Sequence, residues 1–322
     1  MKPYPILKLS EVCPVSMLFG RDVGDTGRAA CDVVVLGSLV MDRKYFAAGT
    51  FAAALPVWGV QRQHGGVGRN VAVNTARLGG RTAFAGLSGF GPDAADLETE
   101  LSGLGVHLEV LRTEAGIGRF DVLLDERGRQ ITSTIELPDP ASAKGLCGPA
   151  LAAVISRAKA VVAEGGLDED VLAWVSREAR RHAIPMCCMP TRQADFGPRG
   201  HLLGLYDVLV LNVKEATALT GRPGDAAEQA ERLLVRGPRV VVVTSGADGA
   251  AVASAERPAA VMVPAEAGPC ADDTGAGDAL ASAFLLALVD GASPRAALTR
   301  GLRAARQTIG CRESACQALT AR

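Results

Sequence analysis

Lysine is scarce in this 322-residue chain, which has six of them among 34 basic residues, and none directly follows a glycine. A Walker-type phosphate-binding loop needs a lysine right after glycine to reach the β- and γ-phosphates, so that class of nucleotide site is excluded. Basic and acidic residues nearly cancel, at 34 against 35, and the net charge is −1. Such a chain lacks the excess positive charge with which proteins bind nucleic-acid polymers or anionic membranes, and we expect neither as a partner.

Long apolar runs and closely spaced metal ligands are also missing. The longest apolar stretch near the C-terminus, residues 279–289, is interrupted by Ser282 and is shorter than the roughly 18 to 20 residues that span a bilayer. The N-terminal segment mixes proline, lysine and glutamate with its apolar residues, unlike a signal peptide, so we expect a cytoplasmic protein. The eight cysteines contain no C-x-x-C pair and the four histidines are scattered, which predicts buried thiols rather than disulfides or a zinc site.

The composition is typical of a globular protein, with 48% apolar and 21% charged residues. Predicted strands and helices also alternate regularly along the chain. From about residue 31, short apolar runs typical of buried strands alternate with helix-length segments. This order predicts an α/β fold with a central, mostly parallel sheet flanked by helices. Two stretches, near 42–63 and 116–137, are predicted to leave this body as β excursions. Residues 1–30 show no sustained periodicity, so we expect a poorly structured or peripheral extension before a single domain over 31–322.

A glycine-rich joint between strand and helix lies at residues 65–72, which read Gly-Gly-Val-Gly-Arg-Asn-Val-Ala. In open α/β sheets, ligands bind outside the carboxyl ends of strands, at joints of this kind. The glycines allow a ligand close to the backbone, and Asn70 and Asn74 share one helix face with polar groups suited to hydroxyl recognition. A simple tight turn is the alternative, whereas a dinucleotide-binding fingerprint fails because Val71 stands where a third small residue is needed.

A second joint, Asp-Asp-Thr-Gly-Ala-Gly-Asp at residues 272–278, leads into the apolar helix predicted over 279–289. Gly275, Ala276 and Gly277 would expose consecutive backbone N–H groups at a helix N-terminus, which suits a phosphate or a developing anion. A carboxylate at Asp278 would repel a merely bound phosphate, so it indicates a general base that takes a proton from an attacking hydroxyl. The alternative is an aspartate that only stabilises the helix N-terminus.

The two joints, in this order and about 200 residues apart, resemble the two signatures of the ribokinase-like (PfkB) sugar and nucleoside kinases. The resemblance covers residues 31–316 and implies a ribokinase-like fold in which the two β excursions form a lid over the substrate. It also implies ATP and Mg²⁺ as cofactors, with K⁺ as a further candidate. The sequence does not give the oligomeric state, but a β lid with exposed edges is a natural surface for a homodimer. Within this family, residues 37–42 and 65–70 look most like those of pseudouridine kinases.

The same resemblance implies a role for each matching residue. The residues implied to bind the substrate hydroxyls are Asp42, Gly65, Gly66 and Asn70. The catalytic residues it implies are Asp278 as base, with Gly275, Ala276 and Gly277 as the anion hole. The residues implied to bind ATP are Asn212 and Glu215 of an N-x-x-E motif, with Thr244, Gly246 and Gly249 of a strand-end loop. Glu215 would also hold Mg²⁺ through water.

The implied activity is ATP-dependent phosphorylation of the 5′-hydroxyl of a ribosyl substrate, with pseudouridine first and another nucleoside or a free sugar as the alternative. Two residues depart from the family pattern: Asp273 adds a carboxylate near the anion hole, and Met189 precedes Pro190 where the family often has aspartate. These departures leave open a degenerate member that binds a ligand without catalysis. The intact Asp278 argues against that alternative, because a binding module has no use for a base.

Overall fold

A computed structural model describes residues 15, 19, 31–47, 56–127, 129–190, 197–270, 272–311 and 313–320. Within these ranges the strands are β1 (Cys31–Gly37), β2 (Val40–Ala47), β3 (Val57–Gly65), β4 (Thr82–Ser88), β5 (His107–Arg112), β6 (Gly118–Leu124), β7 (Gln130–Glu136), β8 (Ala158–Glu164), β9 (Met186–Met189), β10 (Val208–Asn212), β11 (Val240–Thr244), β12 (Ala250–Ser254) and β13 (Arg257–Val263). The α-helices are α1 (Val67–Arg77), α2 (Pro92–Gly103), α3 (Pro149–Ile155), α4 (Glu169–Arg181), α5 (Val213–Thr220), α6 (Ala226–Leu234), α7 (Ala276–Val289) and α8 (Pro294–Thr308).

Several helices begin where the sequence supplies a capping side chain. Asp168 before α4, Asp225 before α6 and Ser293 before α8 each accept a hydrogen bond from a backbone N–H of the first helical turn. Such caps satisfy N–H groups that have no acceptor within the helix. The boundaries between strands and helices are therefore set in part by local side-chain chemistry.

Nine of the described strands form one central sheet, in the order β13-β12-β11-β10-β9-β8-β1-β4-β5. The pairs from β11 through to β5 are parallel, whereas the two pairs at the β13 edge are antiparallel. Central strands such as β11, with the sequence Val-Val-Val-Val-Thr, are continuous apolar runs because helices cover both faces of the sheet. The predicted α/β fold with a mostly parallel sheet flanked by helices is confirmed.

The hydrophobic core lies on both faces of this sheet, because successive side chains of a strand point to opposite faces. In β1, Val33 and Val35 belong to the cluster that includes α1, α7 and α8. Val34 and Leu36 belong to the other cluster, which includes α3, α4, α5 and α6. Helix α7 is buried along nearly its whole length, so the joint that precedes it is anchored on a rigid element. Across the described ranges, no helix combines the length and apolarity that a bilayer span requires.

The two predicted β excursions meet in a second sheet, which we call the lid. Its four strands lie in the order β3-β2-β6-β7, with β2 and β6 parallel and the two outer pairs antiparallel. Strand β2 follows β1 after two residues, and β3 ends at Gly65, directly at the first glycine-rich joint. The lid is thus connected to the carboxyl end of the central sheet at both of these points. Residues 48–55, in the first excursion, lie outside the described residues.

Two residues of the N-terminal extension are described, and both are buried. Val15 and Phe19 belong to the core cluster that includes α7. The backbone N–H of Val15 donates to the carboxylate of Glu256, in the turn between β12 and β13. The core covers the apolar side chains of these two positions, and the character of the extension as a whole stays a prediction. The other residues up to 30 lie outside the described residues.

The state of the cysteines differs from the expectation of buried thiols. Cys187 and Cys188 are buried thiols as predicted, but Cys270 is exposed, and Cys311 and Cys316 form a disulfide. The pair forms because the chain after α8 turns back on itself and brings the two Cα atoms to 5.7 Å. A separation of five residues does not reveal that turn, so the disulfide was not predictable from spacing.

Candidate active site

A cavity of about 430 Å³ lies where the carboxyl ends of β10 and β11 face the lid and the N-terminus of α7. The structure brings most of the predicted site residues to its wall, namely Asp42, Gly66, Asn70, Asn212, Glu215, Thr244, Gly275, Gly277 and Asp278. The other predicted residues belong to the same joints and turns but are not part of the wall; they are Gly65, Ala276, Gly246 and Gly249. Residues predicted for substrate, catalysis and ATP therefore share one cavity.

The second joint turns the chain sharply into α7. Gly275 has a φ of +79°, in the left-handed region that favours glycine, and a Cβ there would collide with the carbonyl oxygen of Ser314. The first turn of α7 carries backbone N–H groups that have no acceptor within the helix. The N–H of Ala276 is engaged, because it donates to the carbonyl of Asp273 at 3.2 Å, whereas Gly277 faces open space. An anion at this helix terminus would therefore rely on Gly277 more than on Ala276.

Asp278 lies in the first turn of α7 and is only 8% exposed. Its Oδ2 accepts a hydrogen bond of 2.8 Å from Nδ2 of Asn70, on α1. Burial raises the pKa of Asp278 to about 7; the Asn70 hydrogen bond opposes the rise, and the carboxylates of Glu164 and Glu215 add to it. A carboxylate with a pKa near neutrality exchanges a proton readily at physiological pH, as a general base must. An aspartate that merely stabilised the helix would gain most by remaining exposed and ionised.

The glycines of the first joint are required because the chain packs closely on itself there. Gly66 has a φ of +98°, and a Cβ at this position would collide with the carbonyl oxygen of Ser38, which follows β1. A Cβ at Gly65 would collide with the carboxylate of Asp42. The glycines thus let the lid aspartate approach the joint and let the start of α1 approach the end of β1.

A buried carboxylate that was not anticipated from the sequence links these elements. Glu164, the last residue of β8, accepts hydrogen bonds from the backbone N–H of Ser38 at 2.9 Å and from its hydroxyl at 3.0 Å. It also accepts one from the backbone N–H of Gly68, in the first turn of α1. Glu164 thus joins β8, the end of β1 and α1 beside the cavity. A charged residue at the end of an apolar strand, directly before two glycines, was the signal that could have identified it.

The two asparagines of α1 have different surroundings. Oδ1 of Asn70 accepts hydrogen bonds from Arg69 at 2.9 Å and from the Ser314 hydroxyl at 3.2 Å, which leaves its second amide N–H for a substrate hydroxyl. Asn74 is fully buried, and its side chain has no hydrogen-bond partner among the described residues. The prediction that Asn74 recognises hydroxyls is wrong, because one helical turn carries it about 6 Å away from the joint, into the packed interior.

Asp42 enters the cavity from β2 of the lid. Burial raises its pKa to about 6, against the opposing effect of the positive charges on Lys44 and Arg69. Two residues further along the same strand, Nζ of Lys44 forms an ion pair of 3.4 Å with Asp272. This pair connects the lid to the second joint, so the substrate side and the catalytic side of the cavity are held together at that point.

The N-x-x-E motif forms a capping box at the start of α5. The side chain of Asn212 accepts from the backbone N–H of Glu215 at 3.0 Å, and Oε2 of Glu215 accepts from the backbone N–H of Asn212 at 2.9 Å. Burial raises the pKa of Glu215. The capping box holds both side chains at the cavity, beside Thr244 at the end of β11.

Gly246 and Gly249 form the short turn between β11 and β12. Their φ values are +55° and +98°, and a Cβ at Gly249 would collide with the carbonyl oxygen of Val263. The turn itself requires glycine at these positions. Their contact with ATP stays a prediction.

The residues that depart from the family pattern occupy different environments. Asp273 is exposed, so the additional carboxylate of the second joint lies at the surface. Met189 is buried and lines the cavity with Pro190, so an apolar side chain stands where the family often has aspartate. Ser314, which was not predicted, also lines the cavity, from the segment that the Cys311–Cys316 disulfide closes.

The Glu215 carboxylate suits Mg²⁺ held through water. Within the described ranges, no group of three or more His, Cys, Asp or Glu residues is arranged to bind a metal ion directly. Glu215 lines the cavity, and Mg²⁺ is commonly held by one or two carboxylates, several waters and the phosphates of a substrate. Glu215 therefore fits a hydrated Mg²⁺ that arrives with a nucleotide.

Known proteins resemble the chain over most of its length. Residues 31–320 match a family model described as "pfkB family carbohydrate kinase". Ribokinase of Mus musculus is 30% identical over 238 residues, covering 69% of this chain and 71% of that protein. Guanosine-inosine kinase of Exiguobacterium acetylicum is 26% identical over 294 residues, covering 88% of this chain and 95% of that protein.

Solved structures share the fold. A carbohydrate kinase from Agrobacterium tumefaciens superposes with a TM-score of 0.78 at 24% identity, covering 90% of this chain and 94% of that one. Arabidopsis thaliana ribokinase, solved with ribose and ATP, superposes with a TM-score of 0.74 at 22% identity, covering 88% and 94%. The ribokinase-like fold is thereby confirmed. Since the family model spans nearly the whole chain and contains both joints, the chain belongs to the pfkB family and is a sugar or nucleoside kinase.

Proposed function

We propose that the protein transfers the γ-phosphoryl group of ATP to the 5′-hydroxyl of a ribosyl substrate, with pseudouridine as the first candidate. The observation that carries the proposal is the buried Asp278, with its pKa of about 7, in one cavity with Asp42, Asn70 and the N-terminus of α7. Phosphoryl transfer requires little covalent chemistry from the protein and depends on positioning and charge stabilisation. A base, free N–H groups and hydroxyl-binding side chains meet those requirements.

Each group would have a distinct task during transfer. Asp42 accepts hydrogen bonds from sugar hydroxyls, and Asn70 donates to one through its free amide N–H. With the sugar held in this way, Asp278 removes the proton of the 5′-hydroxyl as the oxygen attacks the γ-phosphorus. Backbone N–H groups at Gly277 and the start of α7 stabilise the negative charge of the group in transfer, and ADP leaves.

ATP would lie at the carboxyl ends of β10 and β11, beside Asn212, Glu215 and Thr244. The Arabidopsis ribokinase of the same fold was solved with ATP and ribose. When bound, Mg²⁺ neutralises charge on the β- and γ-phosphates, and Glu215 would hold its water ligands. K⁺ is proposed as an activator, and replacing it with Na⁺ in the assay tests that point.

A second cavity supports a substrate larger than a free sugar. It has a volume of about 340 Å³ and shares Ser38, Ile135 and Leu137 with the first cavity. Its wall is mainly apolar and includes residues near the carboxyl ends of β1, β4 and β8. A flat heterocyclic base suits such a space, so a nucleoside would place its ribose in the first cavity and its base in the second. One relative is named as a guanosine-inosine kinase, which favours a nucleoside.

The test of the proposed function is an ADP-release assay with ATP and Mg²⁺ over pseudouridine, the common nucleosides and free sugars including ribose. We expect the highest kcat/KM with a nucleoside, pseudouridine first. A higher kcat/KM with free ribose would favour the sugar-kinase alternative. Nucleoside binding by calorimetry without ADP release for any acceptor would favour the non-catalytic alternative and overturn the proposal.

Replacing Asp42 with alanine should raise the KM for the ribosyl acceptor by roughly 10- to 100-fold, because the hydroxyls it binds lose their acceptor. The KM for ATP should change little. Initial rates measured while varying each substrate in turn give both values. Asp96→Ala, which removes an exposed carboxylate on α2 that lines neither cavity, is the matched control and should leave both KM values unchanged. A collapse of ATP affinity in Asp42→Ala would instead place Asp42 in the nucleotide site.

The lid exposes apolar side chains on an edge strand, and we propose that this surface is the contact between two copies of the chain. Val57, Trp58 and Val60 of β3 are 41%, 67% and 55% exposed. An unpaired edge strand with exposed apolar side chains favours pairing with another chain.

Trp58→Asp should therefore convert a dimeric protein into a monomer, because a carboxylate at the centre of the contact would be buried without a partner. Light scattering after size-exclusion chromatography measures the mass of each variant. Val235→Asp changes an apolar residue of equal exposure, 67%, outside the lid and should leave the mass unchanged. A monomeric wild-type protein, or a dimer that survives Trp58→Asp, would rule out this interface.

A further inference from the structure

A chain of buried polar contacts runs from helix α2 to the base. Arg69, on α1 and only 4% exposed, donates through Nε to Oε2 of Glu100 at 3.0 Å, and its Nη2 forms an ion pair with the same oxygen. Nη1 of Arg69 donates to Oδ1 of Asn70 at 2.9 Å and to the carbonyl of His64 at 3.2 Å. Asn70 in turn donates to Asp278. The guanidinium therefore stands between an anchoring carboxylate and the amide that touches the base.

An asparagine amide has a carbonyl side that accepts and an amino side that donates, and a half-turn about its last bond exchanges them. At Asn70 the carbonyl side faces Nη1 of Arg69, a group that can only donate. The Ser314 hydroxyl also lies near, at 3.2 Å, but its single hydrogen has the carbonyl of His64 as an alternative acceptor at 3.1 Å. The amino side consequently faces Asp278 and the cavity. With the amide reversed, its amino group would face the N–H groups of the guanidinium and its carbonyl oxygen would face the ionised carboxylate, and both arrangements are repulsive.

We propose that Arg69, held in place by Glu100, is a positioning residue that fixes the amide of Asn70 with its N–H groups toward Asp278 and the substrate. The effect on kcat that we derive from this inference rests on the proposed function. The orientation of the Asn70 amide and the pKa of Asp278 do not depend on it. Arginine suits the task because its planar guanidinium group binds Glu100 through Nε and Nη2 and still donates from Nη1 to Asn70. A lysine has the same charge but lacks this planar set of donors.

The proposal predicts a change in the pH dependence of the base. The charged groups that face Asp278 are Arg69 from α1, Glu164 from β8 and Glu215 from α5. A donated hydrogen bond favours the ionised carboxylate, and two neighbouring carboxylates disfavour it. If the amide of Asn70 is free to reverse, Asp278 holds its proton to a higher pH. The acid limb of the kcat profile then moves upward, while activity at alkaline pH is largely retained.

The experiment compares Arg69→Met and Arg69→Lys with a control, Arg112→Met, which removes an arginine paired with Glu98 of α2 outside the cavity. We expect the acid limb to move up by about one pH unit in Arg69→Met. We expect a clear shift of the acid limb in Arg69→Lys as well, because lysine keeps the positive charge but cannot bind Glu100 and Asn70 at the same time as a guanidinium does. We expect no shift in Arg112→Met. Loss of activity by the same factor at every pH, or a wild-type profile in Arg69→Lys, would overturn a positioning role.

A measurement that does not depend on turnover separates this inference from the proposed function. The ¹³C carboxyl resonance of Asp278, assigned by its disappearance in Asp278→Asn, is titrated in the ligand-free wild-type protein, in Arg69→Met and in Arg69→Lys. The lysine variant is decisive, because the positive charge of Arg69 by itself lowers the pKa of Asp278 and lysine keeps that charge. An upward shift of the midpoint in Arg69→Lys supports the positioning role even if the protein transfers no phosphate, and a wild-type midpoint in Arg69→Lys refutes it. If Arg69→Met fails to fold, the titration of Arg69→Lys alone decides the question, because that variant keeps the charge and loses only the geometry of the guanidinium.

Discussion

Replacing Asp278 with asparagine should lower kcat by about 10²- to 10⁴-fold, the usual range for loss of a general base, while ATP affinity changes little. Asparagine has the shape of aspartate, and its carbonyl oxygen still accepts the hydrogen bond from Asn70, so the cavity keeps its geometry. Single-turnover rates and ATP binding by calorimetry measure the two quantities. Asp273→Asn removes an exposed carboxylate from the same joint and should stay within a few-fold of wild type. Turnover near wild type in Asp278→Asn would remove the proposed mechanism.

The Asp278→Asn variant, although less active, should be more stable than the wild-type protein above neutral pH. Asp278 has a pKa of about 7 in the folded protein against 3.8 for an ordinary aspartate. Between these values the folded protein keeps a proton that the unfolded chain has released. The free energy of unfolding therefore falls as pH rises through this window and levels off above it.

Asparagine does not titrate, so Asp278→Asn should be more stable than wild type at about pH 8, by on the order of a few kcal/mol, and nearly equal to it at about pH 4. Urea unfolding at both pH values measures the difference. An equal stability difference at the two pH values would show that Asp278 titrates in the folded protein as it does in the unfolded chain.

The second large effect should appear at the glycines of the second joint, where two alanine substitutions are expected to differ. Gly275→Ala places a side chain at a φ of +79° and against the carbonyl oxygen of Ser314. We expect it to lower the free energy of unfolding by at least about 2 kcal/mol and to abolish most activity, because the start of α7 must shift.

Gly277→Ala is the matched variant, since a Cβ there meets open space. Alanine in a helix is favoured over glycine by roughly 0.5 to 1 kcal/mol, so stability should be equal or higher. Gly277 lines the cavity where the phosphoryl group is proposed to lie, however, so the added methyl group should lower kcat by at least about 10-fold. Urea unfolding and steady-state kinetics on both variants test the pair. Full activity in Gly277→Ala would show that no phosphate is held at this helix terminus.

Local sequence patterns were sufficient to predict those features of the molecule that depend on residues close together in the chain. The alternation of apolar strands and helix-length segments predicted the parallel sheet, because each element carries its own periodicity. The Gly275-to-Asp278 joint predicted a helix N-terminus with a carboxylate in its first turn, because three small residues precede an apolar helix there. Asn70 was identified in the same way, from its place at the start of α1.

Contacts between distant segments could not be predicted in this way. Glu164, Glu100 and Ser314 lie far apart in the sequence, and each reaches the first joint only through the packing of a separate element. Asn74 failed as a hydroxyl ligand because helix packing buried it, although its spacing from Asn70 was suitable. The Cys311–Cys316 disulfide likewise depends on a turn that no local pattern marks.

The sequence by itself therefore determined the fold class, the two glycine-rich joints and the identity of the candidate base, because these depend on composition, periodicity and steric demands within a few residues. The tertiary structure alone decided how those parts act on one another. It set the burial that raises the pKa of Asp278, the direction of the Asn70 amide, and the ion pair between Lys44 and Asp272 that connects lid and joint. Desolvation and hydrogen-bond direction are properties of a packed environment, and that environment is assembled from residues up to about 250 positions apart in the chain.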